Sequence, residues 1–110
     1  MAENRAVLVV ADLLVGSRLE DSARRAGFTP VTRQRLGPPD EAAPAIVVVD
    51  LDAEGSLDDA PAWRERWPDL PIVGFVSHKD RKRWEAAEAL GIRVVPRGAT
   101  SSDARTIFGA

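Results

Sequence analysis

The chain has no cysteine, no tyrosine and a single histidine, and only two of its fifteen basic residues are lysines. Without cysteine there is no disulfide scaffold, thiolate metal site or thiol nucleophile. His78 stands alone, without the partners that catalysis or metal binding needs, and reads as a loop histidine. No phosphate loop, G-x-G-x-x-G, G-x-S-x-G or zinc spacing occurs, which argues against a nucleoside triphosphatase, a dinucleotide enzyme and a hydrolase. No enzymatic reaction is expected, although binding of a small ligand stays open. The N-terminus, MAENRAVLVVAD, lacks a basic region, and its apolar run is far too short to span a bilayer. The cytosol is therefore the default location. A net charge of −2 supplies no bulk attraction to nucleic acid or anionic membrane, so neither is an expected partner.

What is present is enough for one domain. At 110 residues the chain fits a single unit, 1–110. A domain of this size buries roughly 65% of the surface its unfolded chain exposes. Four apolar runs rich in β-branched residues punctuate it: AVLVV from Ala6, AIVVV from Ala45, PIVGFV from Pro71 and IRVV from Ile92. The first three lack polar alternation, as strands covered on both faces do. Phe28 to Arg33 is a weaker strand with Pro30 inside it, which places it at an edge.

Helical patterns lie between the runs. Leu14 to Ala26 repeats Leu19, Ala23 and Ala26, and ends at Gly27 with Arg24 and Arg25 in its last turn. Ser56 to Trp67 opens on a serine cap and stops before Pro68. Asp80 to Leu90 opens on an aspartate cap and closes at Gly91. Strand–helix alternation with short connections forces parallel pairing and right-handed crossovers. The expected fold is α/β: a flavodoxin-like, doubly wound, five-stranded parallel sheet. Gly37, Pro38, Pro39 and Pro44 leave the second crossover helix short or missing, and Ser102 to Phe108 offers only a short last helix.

In such sheets chemistry sits at the carboxyl ends of the strands. There the sequence places Asp12 after the first strand, Asp50 and Asp52 after the third, Ser77 and His78 after the fourth, and Pro96 and Arg97 after the fifth. Asp12 and Asp50 end neighbouring strands. Two carboxylates with a main-chain carbonyl make a hard-cation site suited to magnesium. The competing reading is that these aspartates cap the following helices or face solvent.

AVLVVAD followed by a helix, then AIVVVD, LPIVGFVSHKD and EALGIRVVP, together resemble the receiver domains of two-component response regulators, the CheY-like superfamily, over nearly the whole chain. The resemblance implies that Asp50 is the phospho-acceptor, that Asp12, Asp50 and the Asp52 carbonyl hold Mg2+, and that Ser77 and Arg97 lie in the same pocket. Three positions depart from the family pattern. The acidic pair of the first loop reads Ala11-Asp12, the hydroxyl position of the fourth strand is Val76 with Ser77 one later, and Val95 stands where a lysine precedes Pro96. Arginine and lysine are not interchangeable at a phosphate site, so Arg97 substitutes only if its loop turns it inward.

These departures describe a degenerate, or pseudo-receiver, working as a stand-alone signalling and interaction module with phosphorylation impaired. The alternative is a functional Mg2+-dependent receiver using Asp50. A small-ligand-binding flavodoxin-like domain ranks third. Trp63 and Trp67 are spaced to pack on the sheet. Trp84 sits among Arg81, Lys82 and Arg83: either a solvated helix face, or a surface for an acidic signalling protein or a second copy.

Overall fold

The computed structural model describes residues 4–53, 55–77, 79–99 and 107–108. Along the chain run β1 (Arg5–Val9), α1 (Leu13–Arg25), β2 (Thr29–Arg33), β3 (Ile46–Asp50), α2 (Ser56–Arg66), β4 (Ile72–Val76), α3 (Arg81–Ala89) and β5 (Arg93–Pro96). All strand pairs are parallel, in the order β2-β1-β3-β4-β5. This is the expected flavodoxin-like sheet, with the Pro30 strand at one edge. From β1 the chain moves outward to β2 and then returns to β3 on the other side. That reversal opens the crevice between the carboxyl ends of β1 and β3.

β3 and β4 are buried along their whole length, which is why they read as unbroken apolar runs. Alternation sends Val47, Val49, Ile72 and Val76 to one face, beneath Ala60 and Trp63 of α2 and Ala87 of α3. Ile46, Val48, Val73 and Phe75 go to the other, with Leu19 and Ala23 of α1 and with Ile107 and Phe108. Gly74 is set by close approach. A Cβ there would stand 2.5 Å from the Leu51 Cδ1 atom, and Leu51 is fully buried over the sheet.

Both glycine stops work as Schellman motifs. Gly27 has φ 91° and Gly91 has φ 73°. Phe28 and Ile92 donate their N–H groups back to the carbonyls of Ala23 and Ala87 at 2.9 and 3.1 Å. The start of α2 departs from expectation. Ser56 is its first residue rather than its cap, and Gly55 precedes it in the left-handed region with no side-chain cap bond. The Ser56 hydroxyl instead donates to the buried carbonyl of Asp50 at 2.7 Å.

No helix forms between β2 and β3. The prolines remove the amides a helix would use, and side chains pin the loop in its place. Asp40 accepts a bidentate pair from Arg33 at 3.1 and 2.8 Å and a third bond from Arg5 at 2.6 Å. The hydrogen bonds from Arg33, opposed by burial and helped by Arg5, hold the Asp40 carboxyl below its usual pKa. Trp63 Nε1 donates to the Gly37 carbonyl at 2.9 Å, and the Gly37 N–H donates to Asp59 at 3.0 Å. Leu36 is buried beneath this brace. The expected last helix lies almost wholly outside the described residues, as does His78.

Candidate functional site

Asp50 is the last residue of β3 and pairs with Phe75 of β4. Its side chain is only 12% exposed, and its Oδ1 accepts two bonds. One comes from the Asp52 N–H at 2.9 Å, a turn that folds the chain back just after the strand. The other comes from Arg97 Nη2 at 2.5 Å. The same nitrogen reaches Asp52 Oδ2 at 2.8 Å, and Arg97 Nε reaches that oxygen at 3.2 Å.

Arg97 can do this because β5 ends at Pro96, which frees the next residue from strand alternation. The Arg97 N–H donates to the Val76 carbonyl at 3.0 Å and anchors the turn to the end of β4. Its guanidinium carbon lies 5.1 Å from the centre of the Phe75 ring, within cation–π range. Burial disfavours the charge on Arg97, but the Asp52 hydrogen bond and the two carboxylates outweigh it and raise the pKa. The loop has turned the arginine inward, the condition under which it enters this pocket.

The other expected residues are distributed differently. Asp12 is the N-cap of α1: its Oδ1 accepts from the N–H groups of Leu14 and Val15 at 2.9 and 3.1 Å. Through that oxygen it caps the helix, the competing reading given to the strand-end aspartates. Ser77 lies past the end of β4, and its hydroxyl accepts from the Lys79 N–H at 3.4 Å. The Ser77 main chain serves the site instead, its N–H donating to Asp52 Oδ2 at 3.2 Å. Val76 is fully buried against α2 and α3.

Asp52 enters through its carboxylate, where only its carbonyl was expected to act. Sequence reasoning placed Arg83 only in the basic cluster beside Trp84 and missed its bond to this loop: it donates to the Leu51 carbonyl at 2.6 Å while its Nε pairs with the cap Asp80 at 3.2 Å. Arginine three residues after an aspartate cap was the visible signal. The result is a junction of three loops, those following β3, β4 and β5, tied by one guanidinium and one carboxylate.

The residues present do not fit a magnesium ion. Among the described residues no group of three or more histidine, aspartate or glutamate side chains is placed to hold a metal. The donor set also contains a fixed cation between its two acids, where a divalent ion needs oxygen ligands.

Away from this junction, Arg81 and Lys82 are exposed at the start of α3, while Trp84 is half-buried against the α2/α3 core. Arg81, Trp84, Glu85 and Glu88 line a surface groove of about 380 Å³. The expected basic patch is thus of mixed sign: Glu85 and Glu88 follow Arg81 by four and seven residues, about one and two helical turns along the same rim. No described helix is long and apolar enough to cross a membrane.

No protein-family model matches the sequence, and no curated protein does. Solved structures do match in fold. NtrX from Brucella abortus superposes with a TM-score of 0.81 at 15% identity, over 97% of this chain and 26% of that one. The chemotaxis response regulator CheY4 of Vibrio cholerae gives 0.77 at 12% identity, over 97% of this chain and 94% of that one. A CheY-like receiver domain protein from Methanospirillum hungatei gives 0.80 at 8% identity, over 97% and 89%. This chain has the receiver fold, and it spans about a quarter of the Brucella abortus protein.

Proposed function

We propose that this chain is a receiver-like signalling module that acts by contact with another protein or a second copy, with phosphoryl transfer to Asp50 impaired. It is not an enzyme in this reading, and it works in the cytoplasm. The observation that carries the proposal is the Arg97 bridge. A carboxylate that attacks phosphorus must offer an oxygen lone pair along the line of displacement. Oδ1 of Asp50 already receives two donors, one of them a charged hydrogen bond of 2.5 Å, which draws electron density from the whole carboxylate and weakens it as a nucleophile at either oxygen. The position next to Pro96 is Val95, so the cation that reaches Asp50 comes from a turn and lies against the nucleophile itself.

Tryptophan fluorescence provides the test, because Trp84 sits one residue from Arg83 and its bond to the site. Beryllofluoride with MgCl2 is titrated into wild type and Asp50→Asn. The expected result is no saturable change in either protein. A magnesium-dependent change in wild type that disappears in Asp50→Asn would establish the alternative, a functional phospho-accepting receiver.

A further inference from the structure

We infer that Arg97 is the resident cation of this site: its guanidinium takes the place of a divalent ion, excludes one from wild type, and frees a two-carboxylate site when removed. The inference rests on the reading of the junction given above, but it concerns metal and not phosphate.

Charge and geometry support it together. Asp50 and Asp52 bring two negative charges to the end of β3, and Arg97 bonds to both, at 2.5 and 2.8 Å through one nitrogen. An Mg2+ or Mn2+ ion needs oxygen donors at roughly 2.0–2.2 Å, and the lone pairs facing between these carboxylates already point at Arg97. A guanidinium held there would also repel an incoming dication at short range. Asp12, the carboxylate that would favour the ion over the arginine, accepts the α1 amides of Leu14 and Val15 through its Oδ1. Without Arg97 the two acids keep, among the described residues, the hydrogen bonds from the Asp52 and Ser77 amides. Like charges left so close favour capture of a cation. The mechanical role follows from the same bonds, since Arg97 ties the turn after β5 to the β3 loop whether or not an external ligand is present.

The experiment measures Mn2+ binding by the loss of the free-ion electron paramagnetic resonance signal, with no phosphoryl analogue added. It compares wild type, Arg97→Met, Arg97→Gln and the double variant Arg97→Met/Asp52→Asn, each shown to be folded by circular dichroism. Wild type is expected to leave millimolar Mn2+ free. At least one single Arg97 variant is expected to bind about tenfold or more tightly, and the double variant to lose that gain. Stoichiometric binding by wild type overturns the inference, as does failure of both folded single variants to bind. Either outcome leaves the beryllofluoride result standing on its own, so the two proposals fail separately.

Discussion

Two arginine–aspartate clusters brace this domain, and they are opposite in composition. In the loop that replaces a helix, one aspartate, Asp40, is shared by two arginines, Arg5 and Arg33. At the carboxyl end of the sheet one arginine, Arg97, is shared by two aspartates, Asp50 and Asp52. The first cluster carries an excess of positive charge and holds a loop where no helix forms. The second carries an excess of negative charge at the fold's chemical end. The difference teaches that a similar ion pair has a different meaning at each place. Around Asp40 the minority group is the acid, so losing it strands two cations. Around Arg97 the minority group is the base, so losing it strands two acids where a metal can enter.

The largest expected effect breaks the first cluster. Asp40→Ala removes three charged hydrogen bonds from side chains that are about one-fifth to one-quarter exposed. It should lower the free energy of unfolding by about 2 kcal/mol in urea denaturation at neutral pH. Asp50→Asn keeps one hydrogen-bonding oxygen and relieves the crowding of two carboxylates. Its change should stay within about 0.5 kcal/mol. If the two losses prove equal, the clusters are equivalent struts and the contrast fails.

Next in size is a pH effect at the first cluster. The folded-state pKa of Asp40 is lowered, chiefly by the Arg33 hydrogen bond. Its contribution is therefore complete above the unfolded carboxyl value of about 3.9 and disappears as pH falls through the lower folded value. The stability gap between wild type and Asp40→Asn should be flat from neutral pH down to about 5 and close below about 4. A gap that widens on acidification would reverse the sign and remove the assignment.

How much of this was legible in the sequence follows from how local each interaction is. The strands, the glycine-stopped helices and the edge position of the Pro30 strand rest on patterns within a few residues, and those survived in the structure. The absent crossover helix was legible because four glycines and prolines lie within eight residues, from Gly37 to Pro44. Asp50 and Arg97 were both visible as strand-end groups, but their 2.5 Å contact depends on where the chain turns after Pro96. Ser56 misled because a serine before an apolar stretch resembles a cap, whereas its hydroxyl is drawn to the buried Asp50 carbonyl. Arg64 gave no signal at all. It donates to five main-chain carbonyls, those of Trp67, Pro68, Leu70, Leu90 and Gly91, joining the ends of α2 and α3. No sequence spacing announces an arginine whose partners are backbone atoms from two separate turns.

The smallest expected effect is the dependence on salt, and it separates the clusters by exposure. Arg97 is 38% exposed, against 23% for Arg5 and 27% for Arg33. Mobile ions screen a charge in proportion to their access to it, and the Debye length shrinks to about 3 Å in 1 M salt. Raising NaCl from 0.1 to 1 M, roughly a threefold shortening of that length, should weaken the Arg97 contacts more than those of Asp40. The readout is a double-mutant cycle, because global stability responds to salt through every surface charge. The Arg97–Asp52 coupling, measured with Arg97→Met and Asp52→Asn, should fall further than the Arg33–Asp40 coupling, measured with Arg33→Met and Asp40→Asn. Both couplings are expected to lie near or below about 1 kcal/mol at the start, the range for pairs with partial solvent access. Equal attenuation would mean that both clusters see the same solvent. The sheet end would then be as enclosed as the loop brace, and Arg97 would be a structural tie with no site beneath it.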